Sequence, residues 1–283
     1  MNPSWRNMDR ATLDAAYSNG DPPTDFKTRS AAFYAAHHGE LDVRYGPAPR
    51  QRYDFFPAKK GDRTNKNDRT NKNDRTNKND RTDTPTFVFV HGGYWQSCDK
   101  ELCAFVAEGP LGLGMNVVIA EYTLAPDASM TQIVGEIGLL LDFLAERGHS
   151  TLVLGGHSAG GHLTAMHRAH PAVRHALPVS GLFDLEPIGA GRLNIKLQLS
   201  EQETARFSPI RHITHGAPMV VSVGDAERPE LIRHSHDYAQ ACVTAGERVI
   251  YVPLPAADHF SVLYDLAKPD GLQLTALAQL MQG

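Results

Sequence analysis

The stretch Gly155-Gly156-His157-Ser158-Ala159-Gly160-Gly161 constrains the architecture of this chain more than any other. It follows the apolar run Thr151-Leu152-Val153-Leu154 and precedes His162-Leu163-Thr164-Ala165-Met166-His167, which reads as helix. Strand, Gly-x-Ser-x-Gly, helix is the context of a nucleophile elbow. The turn is crowded and needs small residues at Gly156 and Gly160, and it lifts the Ser158 hydroxyl above the end of a sheet.

A glycine-flanked serine is common in ordinary loops, so a second motif matters. Thr86-Phe87-Val88-Phe89-Val90 reads as a buried strand running into His91-Gly92-Gly93-Tyr94-Trp95. A His-Gly-Gly loop of this type supplies half of an oxyanion hole in esterases and lipases. A plain Gly-Gly turn would explain either loop alone. Both motifs, in this order and both at strand ends, favour the catalytic reading. Backbone N–H groups of Gly92, Gly93, Tyr94 and Ala159 are the expected oxyanion donors.

A neutral serine needs a base, and the base needs an orienting acid. The chain order in such folds is Ser, then Asp or Glu, then His. With fourteen histidines in the chain, position selects among them. Val249-Ile250-Tyr251-Val252 reads as a late strand, and Ala256-Ala257-Asp258-His259-Phe260 follows in a loop, which makes His259 the expected base. The run Pro218-Met219-Val220-Val221-Ser222-Val223 ends in Gly224-Asp225. Asp225 is therefore the expected acid, with Asp184 as second choice. Asp258 is expected to fix its own loop.

The other histidines suit ordinary packing. His162 and His167 are five residues apart, which fits neither helical neighbour spacing. His234 and His236 lack a third ligand nearby in sequence, and no metal is expected. The net charge of −4 gives no reason to expect nucleic acid or an anionic membrane as partner. Three cysteines, Cys98, Cys103 and Cys242, show no metal-type spacing and suit a reducing cytoplasm. The opening residues lack the apolar core of a signal peptide, and no apolar run reaches the roughly 18 residues of a membrane span. A cytoplasmic location is therefore expected.

From Asp62 the hexapeptide Asp-Arg-Thr-Asn-Lys-Asn occurs three times, through Asn79, followed by Asp80-Arg81-Thr82. It has no apolar side chain to build a β-helix core and no glycine for calcium-binding turns. The expectation is a solvated, flexible insertion at about 62–82 within a single domain spanning 1–283. Its place between the strand around Tyr53–Phe56 and the Phe87 strand suggests a lengthened hairpin loop.

Short apolar runs alternate with helical stretches along the rest of the chain. Strands are expected near 41–45, 51–56, 86–90, 116–120, 151–154, 176–179, 219–223 and 248–252, the first two antiparallel. An amphipathic helical lead-in is expected over 11–39. This alternation predicts an α/β architecture: a mostly parallel central sheet with helices on both faces. The candidate groups then gather at the carboxyl ends of the strands.

The chain resembles the α/β-hydrolases of the kynurenine formamidase (arylformamidase) type. The resemblance rests on His91-Gly92-Gly93-Tyr94-Trp95-Gln96-Ser97, Gly156-His157-Ser158-Ala159-Gly160, and Ser180-Gly181-Leu182-Phe183-Asp184-Leu185-Glu186-Pro187-Ile188. Leu197-Gln198-Leu199-Ser200 through Phe207-Ser208-Pro209, Val223-Gly224-Asp225 and Asp258-His259-Phe260 extend it. It runs from about Leu13 to the C-terminus, the repeat excepted. It implies an α/β-hydrolase fold with Ser158 as nucleophile, Asp225 as acid, His259 as base, and no cofactor. The implied reaction removes a formyl group from an aryl amide such as N-formylkynurenine, a step of tryptophan catabolism. A short-chain carboxylesterase remains the alternative. The partner is a small-molecule substrate, and a homodimer is admissible. Tyr94, Trp95, Leu124 and Phe183 are candidates for the substrate pocket, beside a small cap at 193–199, although each equally suits core packing. A binding protein that has lost catalysis would lack one of these groups, and this chain keeps them all.

Overall fold

Phe87 and Phe89 face one side of strand β3 (Thr86–Val90) and Val88 and Val90 the other, and all four are fully buried. That is the mark of a strand covered on both faces. The computed structural model describes residues 5–58 and 84–282. The other strands are β1 (Glu40–Arg44), β2 (Arg52–Phe56), β4 (Asn116–Ala120), β5 (Leu152–His157), β6 (Val173–Val179), β7 (Met219–Gly224) and β8 (Val249–Leu254). They form one sheet in the order β1-β2-β4-β3-β5-β6-β7-β8. β1 and β2 pair antiparallel and β2 runs antiparallel to β4, while β3 through β8 are parallel. The architecture is the expected α/β-hydrolase sheet, and all eight expected strands lie within a few residues of their expected bounds.

The helices are α1 (Arg10–Ala16), α2 (Asp25–Ala36), α3 (Glu108–Gly112), α4 (Met130–Glu146), α5 (Ala159–His167), α6 (Glu186–Ala190), α7 (Asn194–Leu197), α8 (Glu201–Arg206), α9 (Pro229–Thr244), α10 (Val262–Leu266) and α11 (Leu272–Gln282). One face of the sheet, through Phe87, Phe89 and Val117, packs on Phe26 and Phe33 of α2 and Leu274 and Leu277 of α11. The other face, through Val88, Val90 and Leu154, packs on Ile133, Ile137 and Leu141 of α4 and Leu163 of α5. Ser129 starts α4 with a reciprocal capping box to Gln132, which satisfies donors the first turn would leave orphaned. The short helices α6 to α8 lie between β6 and β7 and form the cap.

The connection from β2 to β3 corrects one expectation. The two strands are not hairpin partners, because β4 lies between them. The repeat at 62–82 lies outside the described residues. Among the described residues, no helix is long and apolar enough to cross a membrane.

Candidate active site

The elbow forms where β5 passes into α5. Ser158 has φ 56° and ψ −115°, a region that L-residues occupy only under strain held by surrounding structure. Its N–H donates to Val179 O at 2.8 Å, and its own carbonyl accepts from His162 N. Ala159 opens α5, so its N–H has no intrahelical partner and points out of the helix start.

Close backbone approach fixes the elbow against the oxyanion loop. A side chain at Gly160 would strike the carbonyls of Val90 and His91, the end of β3. A side chain at Gly92 would come within 3.0 Å of His157 O and 3.1 Å of Ser158 Cβ. The two motifs thus pack directly on each other, and each needs its glycine for the other's sake.

His91 anchors the oxyanion loop from beneath. It is fully buried and stacked on Tyr122, with ring centroids 4.5 Å apart. Its Nδ1 donates to Gly92 O at 2.8 Å, and its Nε2 lies 2.9 Å from Glu121 Oε1. Arg50 donates to the same carboxylate oxygen at 2.7 Å. Burial alone would raise the Glu121 carboxyl, but its contact with His91 and the charge of Arg50 outweigh burial and hold it below the ordinary glutamate value. Gly93, with φ 98°, occupies a left-handed turn that a side chain would obstruct at Ser97 O.

His259 stands in the loop after β8 and is 6% exposed. Its carbonyl accepts from His157 Nε2 at 2.7 Å, and the two rings lie 4.5 Å apart. His157 directly precedes Ser158, so the expected nucleophile and base are brought to one place. Burial, with the nearby His259, pushes the His157 imidazole well below its ordinary value. Asp258 accepts from the N–H groups of Phe260 and Ser261 and so shapes this loop, as expected.

The acid differs from expectation. The carboxylate that meets His259 is Glu227, whose Oε2 lies 2.7 Å from His259 Nδ1. Its side chain is fully buried. Its other oxygen accepts from Ser180 Oγ at 2.5 Å and from Gly224 N at 2.8 Å. Asp225 instead accepts from Ala256 N at 2.6 Å on the exposed side of the loop. The physical reason is a turn: Glu227 N donates back to Gly224 O and Ala226 N to Ala257 O. The chain thereby folds over, and the longer glutamate side chain returns to the strand end that Asp225 has already passed. Asp184, the second choice, receives Glu186 N and lies 3.6 Å from Arg211, a structural loop position.

Of the four pocket candidates, Trp95 and Phe183 belong to the core. Trp95 is fully buried, edge-on to His162 with centroids 4.9 Å apart. Phe183 is fully buried and stacked on Tyr238 at 4.2 Å. Both are core. Leu124 is half-buried against the core. Tyr94 donates from its hydroxyl to Tyr17 O at 2.7 Å, tying the N-terminal lead-in to the oxyanion loop. A cleft of about 280 Å³ beside His259 is lined by Asn19, Ala226 to Pro229, and Asp258 to Phe260. The part played by the lead-in through Asn19 had no signal in the sequence.

His162 and His167 donate to the carbonyls of Phe207 and Val134. His234 accepts from Phe183 N and meets the Tyr17 hydroxyl at 2.9 Å.

The family model BD-FAE matches residues 75–176, the segment carrying both glycine motifs. Over 218 residues the chain is 33% identical to kynurenine formamidase of Salmo salar, covering 71% of this chain and 74% of that one. Kynurenine formamidase of Danio rerio is 28% identical over 313 aligned positions, covering 99% of this chain and 98% of the relative. Among solved structures, a protein from Silicibacter sp. TM1040 described as a candidate thioesterase superposes with TM-score 0.80 at 27% identity, covering 94% of this chain and 98% of that one. An esterase from Pyrobaculum calidifontis shares the fold with TM-score 0.67 at 18% identity, over 98% and 94% of the two chains.

Proposed function

Because this chain belongs to the kynurenine formamidase family and is a hydrolase of the α/β-hydrolase fold, we propose that it cleaves the formyl group of an aryl formamide such as N-formylkynurenine through Ser158, His259 and Glu227. One arrangement carries this reading. Elbow and base are joined through His157, and a buried carboxylate stands on the far side of the base.

His259 takes the proton of Ser158 as the serine oxygen attacks the formyl carbon. Glu227 holds the imidazole in the tautomer that leaves Nε2 free to accept that proton, and it stabilises the imidazolium that forms. The oxyanion meets the N–H of Ala159 at the positive end of α5 and those of the Gly92–Tyr94 turn. Each donor is worth roughly 2.7–4 kcal/mol in the transition state. The imidazolium then gives its proton to the leaving aryl amine. Water, deprotonated by His259, hydrolyses the formyl-serine to formate and restores the free hydroxyl. The chemistry needs no metal or organic cofactor. The hexapeptide segment belongs, in this reading, to a passive insertion in a single hydrolase domain.

The test compares kcat/KM on N-formylkynurenine and on p-nitrophenyl acetate, with Ser158→Ala as blank. A formamide preference of several orders of magnitude is expected, with both activities lost in the variant. Fast ester cleavage with negligible formamide turnover would move the assignment to a short-chain carboxylesterase. Activity retained by Ser158→Ala would remove Ser158 from the mechanism.

A further inference from the structure

We infer that His91 is an imidazolium and that its positive charge, set beneath the peptide joining Gly92 to Gly93, strengthens the oxyanion hole. The role rests on the oxyanion reading above, whereas the charge rests on hydrogen bonds alone.

Both ring nitrogens of His91 face groups that accept. Nδ1 lies 2.8 Å from Gly92 O, and Nε2 lies 2.9 Å from Glu121 Oε1. A neutral imidazole has one N–H and one bare lone pair. One of the two contacts would then set lone pair against lone pair, in a fully buried site where water cannot relieve it. A proton on Glu121 would remove that conflict, but the carboxylate oxygens are already taken up by donors. Oε1 receives Arg50 Nη2 at 2.7 Å and Tyr122 N at 3.0 Å, and Oε2 receives Lys100 N at 3.1 Å. These contacts hold the carboxyl below its ordinary value and keep it ionised. A doubly protonated ring satisfies every partner.

Two cations, His91 and Arg50, thus share one carboxylate, and one positive charge is left beneath the loop. The Lys100 ammonium is drawn away to Asp54 and Glu101, at 2.7 and 2.6 Å. Tyr122 lies 14° from parallel to the His91 ring, so its π-face offers a favourable seat for a cation.

The charge stands one peptide away from the chemistry. Gly92 O and the Gly93 N–H belong to the same peptide unit. A charged donor at the carbonyl polarises that unit and makes its N–H a stronger donor. Gly92 packs against the nucleophile, since a side chain there would come within 3.1 Å of Ser158 Cβ. The interaction grows as negative charge develops on the oxyanion, so it raises kcat rather than affinity. His91 touches no substrate in this scheme and is a positioning residue.

Neutron diffraction from crystals of the full-length protein in D2O tests the charge directly. Deuterons on both His91 nitrogens, and none on Glu121, are expected. A bare nitrogen on His91 or a deuteron on Glu121 would overturn the inference, whether or not any variant folds. Kinetics test the role. Glu121→Gln keeps the shape and removes the carboxylate that retains the second proton. Its kcat should fall about tenfold on N-formylkynurenine and on p-nitrophenyl acetate alike, with KM within about twofold, a smaller loss than deleting an oxyanion donor outright. Phenylboronic acid, which forms an anionic tetrahedral adduct on serine, should bind about tenfold more weakly to the variant. His91→Gln, which offers Gly92 O an N–H without the charge, should show the same loss. An unchanged kcat in folded Glu121→Gln, or a change in KM alone, would remove the electrostatic role. The same kcat loss on the ester, in an enzyme that never cleaves the formamide, would keep the role of His91 and reject the formamidase reading.

Discussion

His259 Nδ1 and Glu227 Oε2 lie 2.7 Å apart in a buried pair, while Asp225, two residues earlier, holds the Ala256 N–H at the surface of the same loop. The two carboxylates therefore have separable effects. Glu227→Gln keeps the shape but offers an amide N–H where the imidazole N–H must be received, which favours the wrong tautomer. A fall of about 10,000-fold in kcat is expected, by analogy with the Asp-to-Asn exchange in serine proteases. Asp225→Asn should change kcat/KM no more than a few-fold. A steady-state comparison of the two variants decides, and a severe loss in Asp225→Asn with an active Glu227→Gln would return the acid role to Asp225.

The central strands were readable because parallel strands buried on both faces leave continuous apolar runs, as at Phe87 to Val90. Ser158 and His259 were readable because each follows such a run directly. Glu227 was not. Its position depends on a turn that hydrogen bonds from Glu227 N to Gly224 O and from Ala226 N to Ala257 O fold back, and the second partner is remote in sequence. Trp95 and Phe183 were open between pocket and core because apolar character is the same in both. Only neighbours such as His162 and Tyr238 settle them as core. Strand order, and with it the separation of β2 from β3, left no local signal.

Gly160→Ala adds a methyl group where the carbonyls of Val90 and His91 already crowd. Backbone cannot swing aside as a flexible side chain can, so elbow and oxyanion loop must separate. A stability loss of about 1–3 kcal/mol is expected, together with a loss of kcat larger than that of KM. Thermal unfolding alongside kinetics checks this. An unchanged Tm with full activity would mean the two loops are not packed as described.

Four buried histidines, His157, His162, His167 and His234, make the fold sensitive to mild acid. Burial pushes His162 and His167 down to about 4 and His234 to about 3, from an ordinary 6.5, and holds His157 well below that value too. Below pH 6.5 the unfolded chain takes up protons that the folded chain refuses. Stability is therefore full above 6.5 and is lost as the pH falls from there toward 4. Each histidine contributes up to about 1.4 kcal/mol per pH unit in that window. The depressed Glu121 carboxyl acts separately, only below its ordinary 4.5. Denaturant melts from pH 7 to pH 5 should show falling stability, with a slope reduced by about a quarter in His162→Gln. A flat profile would contradict the buried neutral state of these rings.

Phe56 pairs with Val117, and Val117 pairs with Phe87, so the end of β2 and the start of β3 lie at one edge of the sheet with only β4 between them. Two strand spacings are roughly 10 Å. Deleting residues 62–79 would leave 57–61 and 80–85 to make the connection, a reach of roughly 35 Å when extended. The shortened chain has ample length to cross β4, and closure entropy changes only logarithmically with the loop. The deletion should fold, keep its Tm within a few degrees and keep kcat/KM within a few-fold. Collapse of activity in a deletion variant whose circular dichroism and Tm match the parent would show that the hexapeptide segment takes part in the reaction, and the reading of it as a passive insertion would fall.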